Sequence, residues 1–155
     1  MKFVIIGAGP AGVRAAETLR ENDPQATITL VGDEPGEPYA RMAIPYILSG
    51  AIDDGGARQR RSLDHLQALG IRYLHGKALK VQARPDGGQV DLADGTQLPY
   101  DRLLVATGSS PSLPPLTGTG LPGVVTCWTL EDAHRIAAKL VPGAHLLLAA
   151  NPLLS

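Results

Sequence analysis

The sequence predicts an α/β protein in which a parallel sheet is joined to an antiparallel β-meander. Three observations point there. An apolar run, Phe3-Val4-Ile5-Ile6, breaks at a glycine-rich turn, passes into a helix of small residues and returns as a β-branched run. Two turn signals, Pro85-Asp86-Gly87-Gly88 and Ala93-Asp94-Gly95-Thr96, then separate short strand-like segments. Finally Arg102-Leu103-Leu104-Val105-Ala106 restores the pattern of a buried strand. At 155 residues the chain is about one domain long.

Each element has its own local cause. The first run is apolar without alternation, as a parallel strand covered on both faces requires. The helix begins at Pro10 or Ala11 and turns Gly12, Ala15, Ala16 and Leu19 inward. Asn22-Asp23-Pro24 ends it, because proline cannot continue the hydrogen-bond ladder. Thr27–Val31 is the second strand, completing a βαβ unit over Val4–Asp33. Residues 32–57 read as loop with a short helix near Met42–Leu48. Ser62 is placed to cap a helix through Leu69 that Gly70 stops, and Ile71–Leu74 is a short strand. Leu79–Ala83 and Gln89–Leu92 form a hairpin. After residue 108, prolines at 111, 114, 115 and 122 keep the chain extended. Thr129 then caps a helix, with Asp132 in capping-box position and Leu130, Ala133, Ile136 and Leu140 along one face. Pro142-Gly143 ends it, and His145–Ala150 reads as a further buried strand.

Composition narrows the function. A formal net charge of -1 gives no electrostatic case for nucleic acid or an anionic membrane. Arg58, Arg60 and Arg61 form a short cluster among Gly, Gln and Ser and read as a solvated loop. The single cysteine, Cys127, excludes an internal disulfide or CxxC pair and reads as a small buried apolar residue. Four scattered histidines show no ligand spacing, so no metal site is expected. No segment approaches the ~18 apolar residues that a membrane span needs. Met1-Lys2 leads straight into the first strand rather than a leader, so the expectation is a soluble, cytoplasmic protein.

The chemistry sits in Gly7-Ala8-Gly9-Pro10-Ala11-Gly12. Gly7 permits the turn out of the strand, Gly9 admits close approach of a pyrophosphate, and Gly12 lets helix and strand pack closely. The helix N-terminus then offers N–H groups and partial positive charge to that anion. A GxGxxG alone is weak, but here it follows a strand and opens a helix within a βαβ unit. An acid is expected at the end of the second strand to accept hydrogen bonds from a ribose. Asp33 and Glu34 both stand there, and Asp33, nearer the strand end, is preferred. To this point the dinucleotide could be NAD or FAD.

The remaining motifs supply a resemblance. Pro38-Tyr39-Ala40-Arg41, Tyr100-Asp101-Arg102-Leu103-Leu104-Val105-Ala106-Thr107-Gly108-Ser109 and Trp128-Thr129-Leu130-Glu131-Asp132-Ala133 follow the βαβ unit in order. Together these resemble the N-terminal part of the FAD-dependent pyridine nucleotide-disulfide oxidoreductases. The similar branch contains ferredoxin reductases, rubredoxin reductases and the flavin portion of nitrite reductases. The resemblance implies a Rossmann-like FAD-binding domain over residues 1–142. It also implies the start of an NAD(P)H-binding domain over 143–155. On this basis Gly7, Ala8, Gly9, Pro10, Ala11 and Gly12 hold the FAD pyrophosphate and Asp33, or Glu34, the adenosine ribose. Ala106, Thr107 and Gly108 close against the cofactor. Arg41 reaches phosphate or flavin ring, and Leu79 offers backbone contacts near the adenine. Catalysis would belong to the flavin, so no catalytic side chain is assigned.

Departures from the resemblance matter too. Some relatives carry a lysine near Pro45-Tyr46 and an arginine where Trp128 stands. No cysteine lies between Tyr39 and Tyr46, so dithiol chemistry there is excluded. Relatives continue into a second GxGxxG, yet Ala149–Ser155 contains no glycine. The expected fold is therefore incomplete relative to the family with two dinucleotide-binding domains, and the chain reads as a truncated product impaired on its own. NAD(P)H would be the electron donor of the family, with no site for it in this chain. An iron–sulfur protein or another redox acceptor, and a complementing chain, are the partners that fit. A non-catalytic nucleotide-binding module is the alternative. An ordinary NAD dehydrogenase domain is disfavoured, because the second strand leads to a long loop and a meander rather than to a third parallel strand.

Overall fold

The computed structural model describes residues 1–60 and 64–149. These fall into two compact units: Met1–Ala40 with Ala57–Gly108, and Arg41–Gly56 with the chain from Ser109 onward.

The first unit is built on a four-stranded parallel sheet. Its strands are β1 (Lys2–Ile6), β2 (Thr27–Gly32), β3 (Ile71–His75) and β7 (Arg102–Val105), in the order β3-β2-β1-β7. Helix α1 (Pro10–Asn22) joins β1 to β2, whose register pairs Val4 with Thr29 and Ile6 with Val31. The antiparallel meander consists of β4 (Ala78–Arg84), β5 (Gly87–Leu92) and β6 (Gln97–Tyr100).

Alternation along β1 explains why the run is apolar throughout. Ile5 joins Val13 and Ala16 of α1, Ile28, Leu30 and Ile71 in one core cluster. Val4 and Ile6, pointing the other way, join Val31 and the meander residues Val90, Leu92, Leu98 and Tyr100 in a second. Helix, sheet and meander thus form three layers, and β1 is covered on both faces.

The third parallel strand corrects one expectation. β3 pairs with β2 in parallel, Leu30 opposite Tyr73 and Gly32 opposite His75. The long segment after β2 therefore returns to the same sheet, and a missing third strand no longer argues against an NAD dehydrogenase. The helix expected from Ser62 is described only as α3 (His65–Ala68); Ser62 itself lies outside the described residues.

The arginine cluster is not merely solvated. Arg58 pairs with Glu37 at 2.9 Å, and Arg60 grips Glu17 of α1 through Nε and Nη2, both at 2.6 Å. Glu17 is only 5% exposed, and His65 Nε2 lies 2.8 Å from its Oε1. A buried charge on a helix needs such partners, which sequence spacing does not reveal. Arg61 lies outside the described residues.

The hydrogen bonds from Arg60 outweigh the opposing effect of burial, and with His65 and Arg14 they lower the Glu17 pKa from 4.5 to about 2. The charged carboxylate is thus favoured in the folded state. Its contribution is fully present above pH 4.5 and is lost as pH falls toward 2. Allowing for the partial exposure of Arg60 and His65, we expect about 2 kcal/mol to disappear over that window. Denaturant unfolding of wild type and Glu17→Gln should show it, the variant lacking this component of the acid slope.

The second unit holds α2 (Ile44–Leu48), preceded by a 3₁₀ turn at Arg41–Ala43, and α4 (Leu130–Ala137), which packs on α2. The capping box at Thr129 and Asp132 forms as expected. The helix is shorter than its apolar pattern, however, and Leu140 lies beyond it, exposed. Residues 145–149 form no strand, and Leu146, Leu147 and Leu148 are exposed; Ala150 lies outside the described residues. A parallel strand gains its burial and ladder hydrogen bonds from neighbours, and none pairs with this segment among the described residues. Cys127 is exposed rather than buried, standing just before the capping box outside any helix or strand.

Candidate functional site

Gly7 leaves β1 at φ +109°, a conformation open mainly to glycine. Its amide donates to the Val31 carbonyl at 2.8 Å, tying the turn to the end of β2. A Cβ on Gly7 would stand 2.2 Å from the Ala106 carbonyl oxygen and 2.9 Å from the Thr107 nitrogen. The two backbones therefore touch, and Ala106 N–H donates to the Ile6 carbonyl at 2.7 Å. The glycine turn and the Ala106-Thr107-Gly108 segment, distant in sequence, form one surface.

The other two glycines behave differently from each other. A Cβ on Gly12 would lie 1.9 Å from the Gly7 carbonyl oxygen and 3.4 Å from Leu30, so helix and turn are in contact there. A Cβ on Gly9 would meet nothing within 4 Å. Gly9 has extended backbone at φ -70° and ψ 179° and serves as the N-cap of α1. No side chain caps this helix, its first turn carries no acid, and Pro10 opens it. Amides there keep their capacity for an anion, and the surface beside Gly9 is open to receive one.

At the end of β2 the acids separate. Asp33 is exposed and makes no hydrogen bond among the described residues, whereas Glu34 accepts one from the Tyr39 hydroxyl. Near them stands Tyr73, its hydroxyl 2.8 Å from where a Gly32 Cβ would be. Burial raises the Tyr73 pKa first, and the carboxylates of Glu34 and Asp33 add to it. Tyr73 therefore stays a neutral donor beside the acid pair.

Two contributors escape sequence reasoning. The Gln59 side-chain amide donates to the carbonyls of Ala8, at 3.1 Å, and Tyr39, at 3.0 Å. It clamps the glycine turn to the segment carrying Glu34. Nothing in an irregular stretch marks such a residue beforehand. Tyr73 could have been found once β3 was taken as the parallel neighbour of β2. Between α1, α3 and β3 lies a cavity of about 380 Å³, bordered by Val13, Leu66, Ile71 and Tyr73.

Of the remaining expected residues, Leu79 stands exposed at a register shift between Ala78 and Lys80 of β4, on the meander layer. Arg41 belongs to the second unit, where its guanidinium carbon lies 5.3 Å from the centroid of the Trp128 ring. Among the described residues no group of three or more His, Cys, Asp or Glu is arranged to hold a metal, and no helix is long and apolar enough to cross a membrane.

A model of the pyridine nucleotide-disulphide oxidoreductase family matches residues 1–149. The chain belongs to this family. It is 35% identical over 148 residues to rhodocoxin reductase of Rhodococcus erythropolis, covering 96% of the chain and 34% of that protein. It is similar to the reductase in a covalent putidaredoxin reductase–putidaredoxin complex, at 30% identity and a TM-score of 0.74 over 88% of the chain and 33% of the other. It is also similar to a NAD-dependent persulfide reductase from A. fulgidus, at 29% identity and a TM-score of 0.80, over 89% of the chain and 27% of the other. This pyridine nucleotide-disulphide oxidoreductase chain thus spans about a third of the length of such relatives. They are oxidoreductases, and the α/β architecture with parallel and antiparallel sheets is shared with them.

Proposed function

We propose that the chain is the FAD-binding portion of an NAD(P)H-dependent flavoprotein oxidoreductase, which passes electrons through FAD to an acceptor. The observation that supports this best is the glycine turn: Gly7 backed by Ala106 and Thr107, with Gly9 facing open space. Bound FAD supplies hydride acceptance and onward electron transfer. The residues of this chain bind and orient it. Amides of the Gly7–Gly12 turn hold the pyrophosphate, and Asp33 accepts from the adenosine ribose. Thr107 and Gly108 close the pocket wall, Arg41 reaches phosphate or ring, and Leu79 lends backbone near the adenine.

In this reading residues 1–142 belong to the FAD domain and 143–155 open an NAD(P)H-binding domain. An iron–sulfur protein or another redox protein is the acceptor, and the setting is cytoplasmic. These 155 residues by themselves hold FAD without turning over NAD(P)H. The test is direct. The purified chain should be yellow and release FAD on denaturation, and should not reduce an artificial acceptor with NADH. A colourless fold unable to take up FAD overturns the reading, and NAD binding without FAD favours an ordinary dehydrogenase domain. Turnover of NADH by these residues alone would refute the division of labour.

Asp33 offers a finer check. Charge-assisted hydrogen bonds to ribose hydroxyls contribute about 1.5–3 kcal/mol. Asp33→Ala should therefore weaken FAD binding by roughly 10- to 100-fold. Its melting temperature should hold, since the exposed carboxylate bonds to none of the described residues. Unchanged affinity would move the role to Glu34.

A further inference from the structure

We propose that Gln59 is a positioning residue for the cofactor: by holding the Ala8 carbonyl, its side chain aims the Gly9 N–H at the pyrophosphate. This rests on the FAD reading and adds to it a residue from outside the glycine turn. Both partners of the Gln59 side chain are carbonyls, those of Ala8 at 3.1 Å and Tyr39 at 3.0 Å, so the group facing them is the amide nitrogen. One N–H serves each carbonyl. The side chain thereby ties the turn to a segment that is itself held in place. Residues 38–40 and 57–59 run antiparallel, with Tyr39 opposite Arg58. Ala40 N–H donates to the Ala57 carbonyl at 2.8 Å, and Gln59 N–H to the Pro38 carbonyl at 3.1 Å. Arg58 pairs with Glu37 and Arg60 with Glu17 of α1, so both chain neighbours of Gln59 are anchored.

Peptide geometry carries the contact from Gln59 to Gly9. The Ala8–Gly9 bond is trans, and in a trans unit the carbonyl and the following N–H point in opposite directions. Drawing the Ala8 oxygen toward Gln59 therefore turns the Gly9 N–H away from it. That N–H has no partner among the described residues, and a Cβ on Gly9 would meet nothing within 4 Å. Few other donors stand at this point of the turn. Gly7 N–H is committed to the Val31 carbonyl, and Pro10 has no N–H. The direction of the Gly9 amide thus decides how many donors an anion meets here. A peptide unit next to glycine rotates at little cost, so without Gln59 the ligand itself would have to order it.

Gln59→Met keeps the length of the side chain and removes the donor. In the folded variant FAD should bind about tenfold more weakly, read by flavin absorbance titration. A ¹⁵N–¹H spectrum separates aiming from general support. In the unaltered chain, saturation with FAD should move the Gly9 amide signal downfield and slow its exchange with water. In Gln59→Met at saturation, that downfield movement should largely disappear. A variant that binds FAD more weakly yet shows the full Gly9 movement makes Gln59 a structural support only and overturns the proposal, as does unaltered affinity. Should Gln59→Met fail to fold, the unaltered chain decides. Its Gly9 amide must respond to FAD, and the Gln59 side-chain protons must stay protected from exchange with and without FAD; failure of either overturns the proposal. A Gly9 signal unmoved while flavin absorbance shows FAD bound leaves the FAD reading standing. No binding of FAD at all overturns both.

Discussion

Gly12→Ala should strongly destabilise the first unit. The new Cβ would stand 1.9 Å from the Gly7 carbonyl oxygen and 3.0 Å from its carbonyl carbon. Neither atom can swing aside like a side-chain tip. Gly7 is held by its amide bond to Val31 and by contact with Ala106, and Gly12 is buried in the first turns of α1. Relief requires α1 to lift from the sheet, withdrawing Val13 and Ala16 from Ile5 and Leu30. Losing packing on that scale costs about 3 kcal/mol or more, far above the small helix-propensity gain of Ala over Gly. The melting temperature should drop by roughly 10 °C. A thermal melt within about 2 °C of wild type would show that helix and turn are not in the contact described.

The parts of this fold visible in the sequence are those set by neighbours in the chain. β1, the glycine turn, α1 and β2 follow from an apolar run, glycine spacing and a proline stop, all acting within a few residues. The Thr129–Asp132 cap is equally local. What stays hidden depends on partners far along the chain. The burial of Glu17 makes sense only once Arg60 and His65 arrive beside it. The pairing of β3 with β2 depends on where a long connection brings Ile71. Leu146–Leu148 shows the converse, because an apolar run makes a strand only where a sheet edge receives it.

The candidate site divides in the same way. Gly7, Gly9, Gly12 and the acid pair at 33–34 were legible because steric need dictates residue type at fixed spacing. Ala106-Thr107 was legible through family resemblance, and the structure supplies its physical reason in the contact with Gly7. Gln59 and Tyr73 were not legible, since a hydrogen bond to a carbonyl or a hydroxyl near an acid imposes no local pattern.

The central claim is that the open space beside Gly9 belongs to the FAD pyrophosphate, and Gly9→Ala tests it most directly. In the unliganded chain the added Cβ meets nothing within 4 Å, and φ of -70° suits alanine. The only cost to the fold is the poorer N-cap, about 0.5–1 kcal/mol, so melting should fall by no more than about 4 °C. With cofactor present, the same methyl occupies the volume through which backbone and phosphate approach. FAD affinity, measured by flavin absorbance or fluorescence titration, should fall about 100-fold, equivalent to about 2.7 kcal/mol. A folded Gly9→Ala chain that binds FAD as tightly as wild type would contradict the account.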